Sequence, residues 1–211
     1  IWKAALKQAG AIKVESHEEL VDTILAFQQL SHFEGERVAI IAGLYGAGGG
    51  ASVASSDACL SQGLDVPPFT DETRARLKAI LPAAGSILRN PLDMGSVGGI
   101  LEILNKTIEI VLSDPLIELV IIQVPVGFLT GFEARETFQG TINIIAKFRK
   151  NQDKPIIVLS PEGSAETQRV EFEGRLSDAR IPVYPTFERA ARAIVNLSWY
   201  FRFHRINHED Q

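Results

Sequence analysis

The stretch RVAIIAGLYGAGGGASVASSDACLSQG, residues 37–63, decides the fold, because an apolar run leads into a glycine cluster and then into a helical pattern. The run RVAIIAGL (37–44) is apolar without alternation, which is typical of a strand covered on both faces of a parallel sheet. Residues 51–62 are predicted to form a helix that ends at Gly63. This order of strand, loop and helix predicts an α/β fold.

The same alternation of strands and helices continues over residues 36–205. It predicts a flavodoxin-like domain with five parallel strands in the order 2-1-3-4-5 and helices on both faces of the sheet. The prolines of LDVPPF (64–69) place the second strand at an edge. The last three strands are predicted within LIELVIIQVP (116–125), KPIIVLSP (154–161) and IPVYPT (181–186), and residues 206–211 form a polar tail.

An N-terminal appendage precedes this domain. Residues 1–35 predict a helix, the short strand AIKV (11–14) and a second helix, which begins at a capping box formed by Ser16 and Glu19. One strand with two helices has no sheet of its own. We therefore expect residues 1–35 to be the tail of a preceding domain, whose apolar residues need a partner surface: Leu20, Ile24 and Phe27.

Composition excludes several classes of protein. The formal net charge of −5 argues against nucleic-acid binding, and no apolar run reaches the roughly 20 residues that cross a bilayer. The single cysteine, Cys59, favours a reducing cytoplasm. None of the four histidines lies beside a glycine-rich stretch, and no metal-ligand spacing is found. We expect a cytoplasmic chain with neither a metal site nor a catalytic residue of its own.

The glycine loop after the first strand carries few side chains, so its backbone can lie close to a ligand or to another segment of protein. An anion, a flavin phosphate, another protein segment and a tight turn are all compatible with it. An anion at the start of the following helix gains about 0.3–1 kcal/mol when exposed and up to ~2 kcal/mol when partly buried. No lysine follows the glycines, which argues against a P-loop. The candidate phosphate-binding residues are Gly46, Gly48, Gly49, Gly50, Ala51 and Ser52.

A second unusual stretch is LRNPLDMGSVGG, residues 88–99, which also leads into a helix. If both loops lie at the carboxyl ends of a parallel sheet, they converge on one place. Asn90, Asp93 and Gly95 are then candidate supporting residues. The alternative is that Asn90 and Asp93 only tie down a long crossover connection.

Several segments together resemble a known family: ALKQAGAIKVESHEELVD, RVAIIAG with GGG and SSDAC, GLDVPPFTDETRARLKAILP, NPLDM and RIPVYPTFERAARAI. They are similar, over nearly the whole chain and in the same order, to the NDP-forming (ADP-forming) acyl-CoA synthetases, relatives of succinyl-CoA synthetase. Enzymes of that family convert acyl-CoA, ADP and phosphate into the free acid, CoA and ATP, and a phosphorylated histidine carries the phosphoryl group.

The resemblance implies a division of labour between domains. Residues 1–35 correspond to the tail of the histidine-bearing domain, and residues 36–205 to a second flavodoxin-like domain whose glycine loop faces the phosphohistidine. The CoA-binding and ATP-grasp domains or subunit are implied as partners, and a homodimer is possible. The full enzyme implies CoA, ADP or ATP, and Mg²⁺, whereas this chain alone is expected to bind no cofactor and to be inactive.

The glycine loop departs from the family pattern, which commonly has Gly-Gly-Pro-Gly with a preceding Asn. Here the corresponding run is Gly49, Gly50, Ala51 and Ser52. Two alternative functions therefore stay open. One is a non-catalytic protein-interaction module of flavodoxin-like fold. The other is a flavin-binding flavodoxin, for which Tyr45 and Phe128 are the plausible aromatic residues.

Overall fold

The computed structural model describes residues 1–30, 32–46, 49–129, 134–151, 153–163 and 165–209. In this part of the chain, one six-stranded sheet carries helices on both faces. The strands are β1 (Val38–Ala42), β2 (Ile87–Leu88), β3 (Leu92–Asp93), β4 (Leu119–Gln123), β5 (Ile156–Leu159) and β6 (Val183–Tyr184). The helices are α1 (Trp2–Gln8), α2 (His17–Leu30), α3 (Gly49–Gln62), α4 (Asp71–Ile80), α5 (Leu101–Leu112), α6 (Ala134–Asn151), α7 (Glu166–Asp178) and α8 (Phe187–Glu209).

The strand order is β2-β3-β1-β4-β5-β6, and only β2 runs antiparallel to its neighbour. The five parallel strands, counted along the chain, have the predicted order 2-1-3-4-5. The α/β fold with helices on both faces is therefore confirmed. The sheet has one strand more than predicted, because β2 and β3 form a short hairpin at its edge.

The predicted second strand, residues 64–69, is wrong. This segment makes a single parallel bridge, between Arg37 and Asp65, and β3 takes the place beside β1. Pro67 and Pro68 have no N–H groups for a ladder. The side chain of Asn90 fills the gap instead: it accepts a hydrogen bond from the Ile40 N–H (2.9 Å) and donates to the Val38 and Pro67 carbonyl oxygens (2.7 and 2.9 Å).

Two hydrophobic cores lie on opposite faces of the sheet. One core is closed by α4, α5, α6 and α7, and the other by α2, α3 and α8. Successive side chains of a strand point to opposite faces, so Ile41 of β1 lies in the first core and its neighbour Ile40 in the second. All five residues of β1 are buried, which accounts for the unbroken apolar run in the sequence.

The N-terminal appendage forms its two helices but not the predicted strand at residues 11–14. Residues 11–13 of that segment line a groove together with Asn196 and Trp199 of α8. Of the predicted capping box at the start of α2, the bond to Ser16 Oγ is present, whereas the carboxylate of Glu19 accepts from the Glu15 N–H instead of the Ser16 N–H. The Glu19 N–H donates to Ser16 Oγ (3.1 Å), and the Glu15 N–H donates to Glu19 Oε2 (2.8 Å). The division into domains at residues 35 and 205 stays a prediction.

Helix α2 packs against α8 through its polar side. Asp22 is 5% exposed, and both of its carboxylate oxygens accept hydrogen bonds from Arg189, at 2.7 and 2.8 Å. Thr23 accepts a hydrogen bond from Asn196 at 3.0 Å. In contrast, the apolar residues Val21 and Ile24 are exposed. Part of the apolar side of α2 is therefore exposed, whereas Ala26 and Leu30 of the same helix lie in the second core.

Candidate functional site

The first loop begins where β1 ends, at Gly43. This residue has a φ of 71°, and a Cβ atom added to it would lie 2.0 Å from Asp93 Oδ1. The carboxylate of Asp93 is buried and accepts a hydrogen bond from the Gly95 N–H (2.8 Å). Ala42 pairs with Asp93 across the ladder between β1 and β3. The second loop is thus fixed directly against the first.

A second contact joins the two loops farther along. A Cβ atom on Gly98 would lie 3.0 Å from Leu44 Cα and 3.2 Å from the Gly43 carbonyl oxygen. A side chain at this position would require one of the two backbones to move by a few tenths of an ångström. The two loops therefore touch at the carboxyl end of β1, but the helices that follow them, α3 and α5, lie on opposite faces of the sheet, and a shared anion site stays a prediction.

Tyr45 turns its side chain toward the core beneath α5 and α6. Its hydroxyl group and Thr141 Oγ1 share a hydrogen bond of 2.5 Å, and its ring lies against Gly99. Burial raises the pKa of the Tyr45 hydroxyl. Because α3 lies on the opposite face of the sheet, this ring packs away from the start of that helix.

The first turn of α3 supplies the other part of the candidate site. The first N–H groups of a helix have no partners within the helix, and the helix dipole makes this end positive. Gly50 has open space where a side chain would stand. Ser52 is 3% exposed, yet its Oγ atom has no hydrogen-bond partner among the residues that the structure describes. A buried hydroxyl without a partner is uncommon and costs free energy, so Ser52 is a free donor at the helix start.

Two further polar atoms lie at the same edge of the sheet. Gln123 is the last residue of β4 and Ser160 directly follows β5. Both Gln123 Oε1 and Ser160 Oγ are buried, and neither has a partner within the described ranges. Sequence analysis did not select either residue. The only signal was a polar side chain at the end of an apolar run, which by itself does not distinguish a site from a strand end.

The other predicted residues have different surroundings. Asn90 is occupied by its three bonds to the backbone near β1, as described above. Gly95 has a φ of 60°, and a Cβ atom there would lie 2.5 Å from the Gly85 carbonyl oxygen, which makes it a turn residue. Gly46 ends a 3₁₀ turn that begins at Leu44. Gly48 lies outside the described residues, and Gly49 and Ala51 are described only as part of the α3 backbone.

Neither a metal centre nor a reactive thiol accompanies the loops. In the described ranges, no group of three or more His, Cys, Asp or Glu residues could hold a metal ion. Burial and the charge of Glu188 raise the pKa of the Cys59 thiol to about 12. Of the helices in these ranges, none combines the length and apolarity that spanning a bilayer requires.

The fold and the loops together define an α/β domain of flavodoxin-like topology with a glycine loop at the carboxyl edge of its parallel strands. The family model of the Ligase-CoA domain matches residues 38–208, and the chain belongs to this family. The match starts at the first residue of β1 and includes both loops. The resemblance to ADP-forming acyl-CoA synthetases is therefore confirmed.

Curated relatives carry names of the same kind. The chain is 28% identical over 194 residues to the alpha subunit of an ADP-forming acetate–CoA ligase II from Pyrococcus furiosus, an alignment covering 92% of the chain and 40% of the relative. It is 35% identical over 94 residues to an ADP-forming acetate–CoA ligase from Methanocaldococcus jannaschii, with 44% and 13% covered. The chain thus spans less than half the length of these relatives.

Solved structures share the fold. A dinucleotide-forming acetyl-coenzyme A synthetase 1 from Ca. Korarchaeum cryptofilum superimposes with a TM-score of 0.75 at 23% identity, covering 99% of the chain and 43% of the other protein. Its complex with phosphate and ADP gives a TM-score of 0.76 at 22% identity, with 99% and 42% covered. At this identity the likeness concerns the fold.

Proposed function

We propose that the chain is a domain of an NDP-forming acyl-CoA synthetase, and that its glycine loop and the first turn of α3 hold a phosphoryl group carried on a histidine of another domain. The whole enzyme converts acyl-CoA, ADP and phosphate into the free acid, CoA and ATP. Family membership supports the reaction, because curated relatives are named ADP-forming ligases.

The observation that carries the local role is the free hydroxyl of Ser52. A phosphoryl oxygen at the start of α3 accepts hydrogen bonds from the first N–H groups of the helix and from Ser52 Oγ, which otherwise stays buried without a partner. The side of the loop at Gly50 is open, so a group carried by another domain can approach it. The helix end contributes up to ~2 kcal/mol to such an anion when it is partly buried.

The partners follow from the same proposal. CoA-binding and ATP-grasp domains, on the same polypeptide or on another subunit, supply the sites for CoA, for ADP or ATP and for Mg²⁺ in the cytoplasm. The exposed apolar side of α2, at Leu20, Val21 and Ile24, is consistent with contact to another domain. The chain alone is expected to form no ATP from acetyl-CoA, ADP and phosphate.

The test is a titration of the chain with N-phosphoimidazole, a small mimic of phosphohistidine, followed by NMR of the backbone amides. We expect saturable shifts at residues 49–53. Ser52→Ala is expected to weaken binding about tenfold, because one charge-assisted hydrogen bond is lost. Ser56→Ala on the same helix serves as the control and is expected to bind like the unchanged chain. Equal binding by both variants, or no shifts at residues 49–53, would contradict the proposed role of the loop.

A further inference from the structure

A second concave surface lies between α4 and the edge strand β2. It is a groove of about 420 Å³ with three cationic side chains, Arg74, Lys78 and Arg89, and one carboxylate, Asp71. The chain as a whole carries a formal charge of −5, so the groove is locally positive in a chain that is negative overall. A groove with such an excess attracts anions.

Arg74 has an unused hydrogen-bond donor in this groove. One end of its guanidinium group pairs with Asp71, whereas its Nε atom is buried and has no acceptor in the described part of the chain. Buried guanidinium N–H groups are costly to leave unpaired, and their planar arrangement suits the oxygens of phosphate or carboxylate. An oxygen of a bound anion would satisfy this donor.

The floor of the groove is apolar. Ile87 of β2 is 43% exposed, and Ala75 and Leu88 lie beside it. A small inorganic ion would leave this floor uncovered. A ligand with an apolar body would cover Ile87 and gain free energy from the buried area.

We propose that this groove binds a small phosphorylated organic molecule. Its phosphate accepts hydrogen bonds from Arg74 Nε, Lys78 and Arg89, and its apolar body lies on Ile87. Arg74, Lys78 and Arg89 together with Asp71 carry a net charge of +2, which matches a phosphate dianion better than a carboxylate with a single charge. The groove is built by residues of α4 and β2, so the proposal does not depend on the role of the glycine loop.

The test uses phenyl phosphate as the probe and the side-chain Nε–Hε signal of Arg74 in NMR as the readout. We expect this signal to shift saturably, and we expect phenyl phosphate to bind about tenfold more tightly than inorganic phosphate because its ring is buried. Ile87→Ser is expected to abolish that preference while inorganic phosphate still binds.

A matched pair of variants separates the groove from general charge effects. Arg89→Gln is expected to weaken phenyl phosphate binding about tenfold. Arg76→Gln is the control, because Arg76 lies on the same helix but donates to Ser113 Oγ at 2.8 Å and does not line the groove. If both variants weaken binding equally, the groove site is contradicted.

Two further outcomes would also overturn the groove site. One is an Arg74 signal that does not move at about 10 mM phenyl phosphate. The other is a set of shifts confined to residues 49–53, which would support the glycine loop as an anion site while contradicting the groove.

Discussion

Gly43 is the residue on which the contact between the two loops depends. Its φ of 71° is disfavoured for residues with a side chain, and the carboxylate of Asp93 occupies the place where a Cβ atom would stand. Gly63 has a φ of 95° but nothing within 4 Å of its Cβ position. A side chain at either glycine would strain the backbone, but only a side chain at Gly43 would also collide with a neighbouring group. Comparing the two positions therefore separates the two costs.

We predict that Gly43→Ala lowers the free energy of unfolding by about 1–3 kcal/mol more than Gly63→Ala does. Both substitutions strain the backbone, but only the first displaces Asp93 from its bond to the Gly95 N–H. Urea unfolding of the two variants measures the difference. If both variants lose the same free energy of unfolding, the prediction is wrong and the close approach of the two loops contributes nothing to stability.

The sequence was sufficient to locate the loops but not all the polar atoms around them. Five glycines between a buried strand and a helix are visible by composition alone, and Ser52 was among the candidates for that reason. Gln123 and Ser160 were not, because their burial without partners results from the packing of segments far apart in the chain. The three bonds of Asn90 likewise depend on residues 23 to 52 positions away.

Among the elements, α2 has the unusual orientation, since its charged side is buried against α8. A carboxylate removed from water is stabilised only when it is paired and hydrogen-bonded. Asp22 meets this condition through its two bonds to Arg189, and the hydroxyl group of Tyr184 donates to the Asp22 carbonyl oxygen at 3.1 Å. The position of α2 on the sheet thus depends on this ion pair together with the buried apolar residues Ala26 and Leu30.

We predict that Asp22→Ala lowers the free energy of unfolding by about 1–3 kcal/mol, because it leaves Arg189 without its partner. Val21→Ser on the same helix is expected to change it by less than about 0.5 kcal/mol, since Val21 is exposed. Urea unfolding monitored by circular dichroism measures both. A larger loss for Val21→Ser would show that the apolar side is the one that holds the helix in place.

Elements with local start and stop signals could be predicted from the sequence. Thr70 accepts from the Thr73 N–H at the start of α4, the Arg189 N–H donates to Thr186 Oγ1 at the start of α8, and Gly63 ends α3. The predicted strand at residues 64–69 was wrong for the opposite reason. Its apolar pattern was right, but two prolines prevented a ladder, and β3 with Asn90 took the position.

At the scale of the whole molecule, ionisable groups buried in the two cores make the free energy of unfolding depend on pH in the alkaline range. Burial raises the pKa of Cys59 from about 9 to about 12 and raises the pKa of Tyr45 and of Tyr184 above 10. Each of these groups holds its proton more tightly in the folded chain. Its contribution is fully present below the pKa of the unfolded chain, falls as the pH rises above that value and is lost once the pH has passed the pKa of the folded chain.

We predict that the free energy of unfolding falls above about pH 9, with a slope of up to about 1.4 kcal/mol per pH unit for each ionising group. Urea titrations between about pH 8 and pH 11 measure this slope. Cys59→Ala removes the thiol and is expected to make the decline between about pH 9 and pH 10 shallower. A flat profile over the same interval would contradict the raised pKa values.

The backbone contact between the two glycine loops has a mechanical consequence. At Gly43, Leu44 and Gly98, main chain rests on main chain, with no flexible side chain between them to absorb movement. A displacement of the main chain at Leu44 would therefore press directly on Gly98, which lies three residues before α5. The contact makes a rigid connection between the end of β1 and the start of α5.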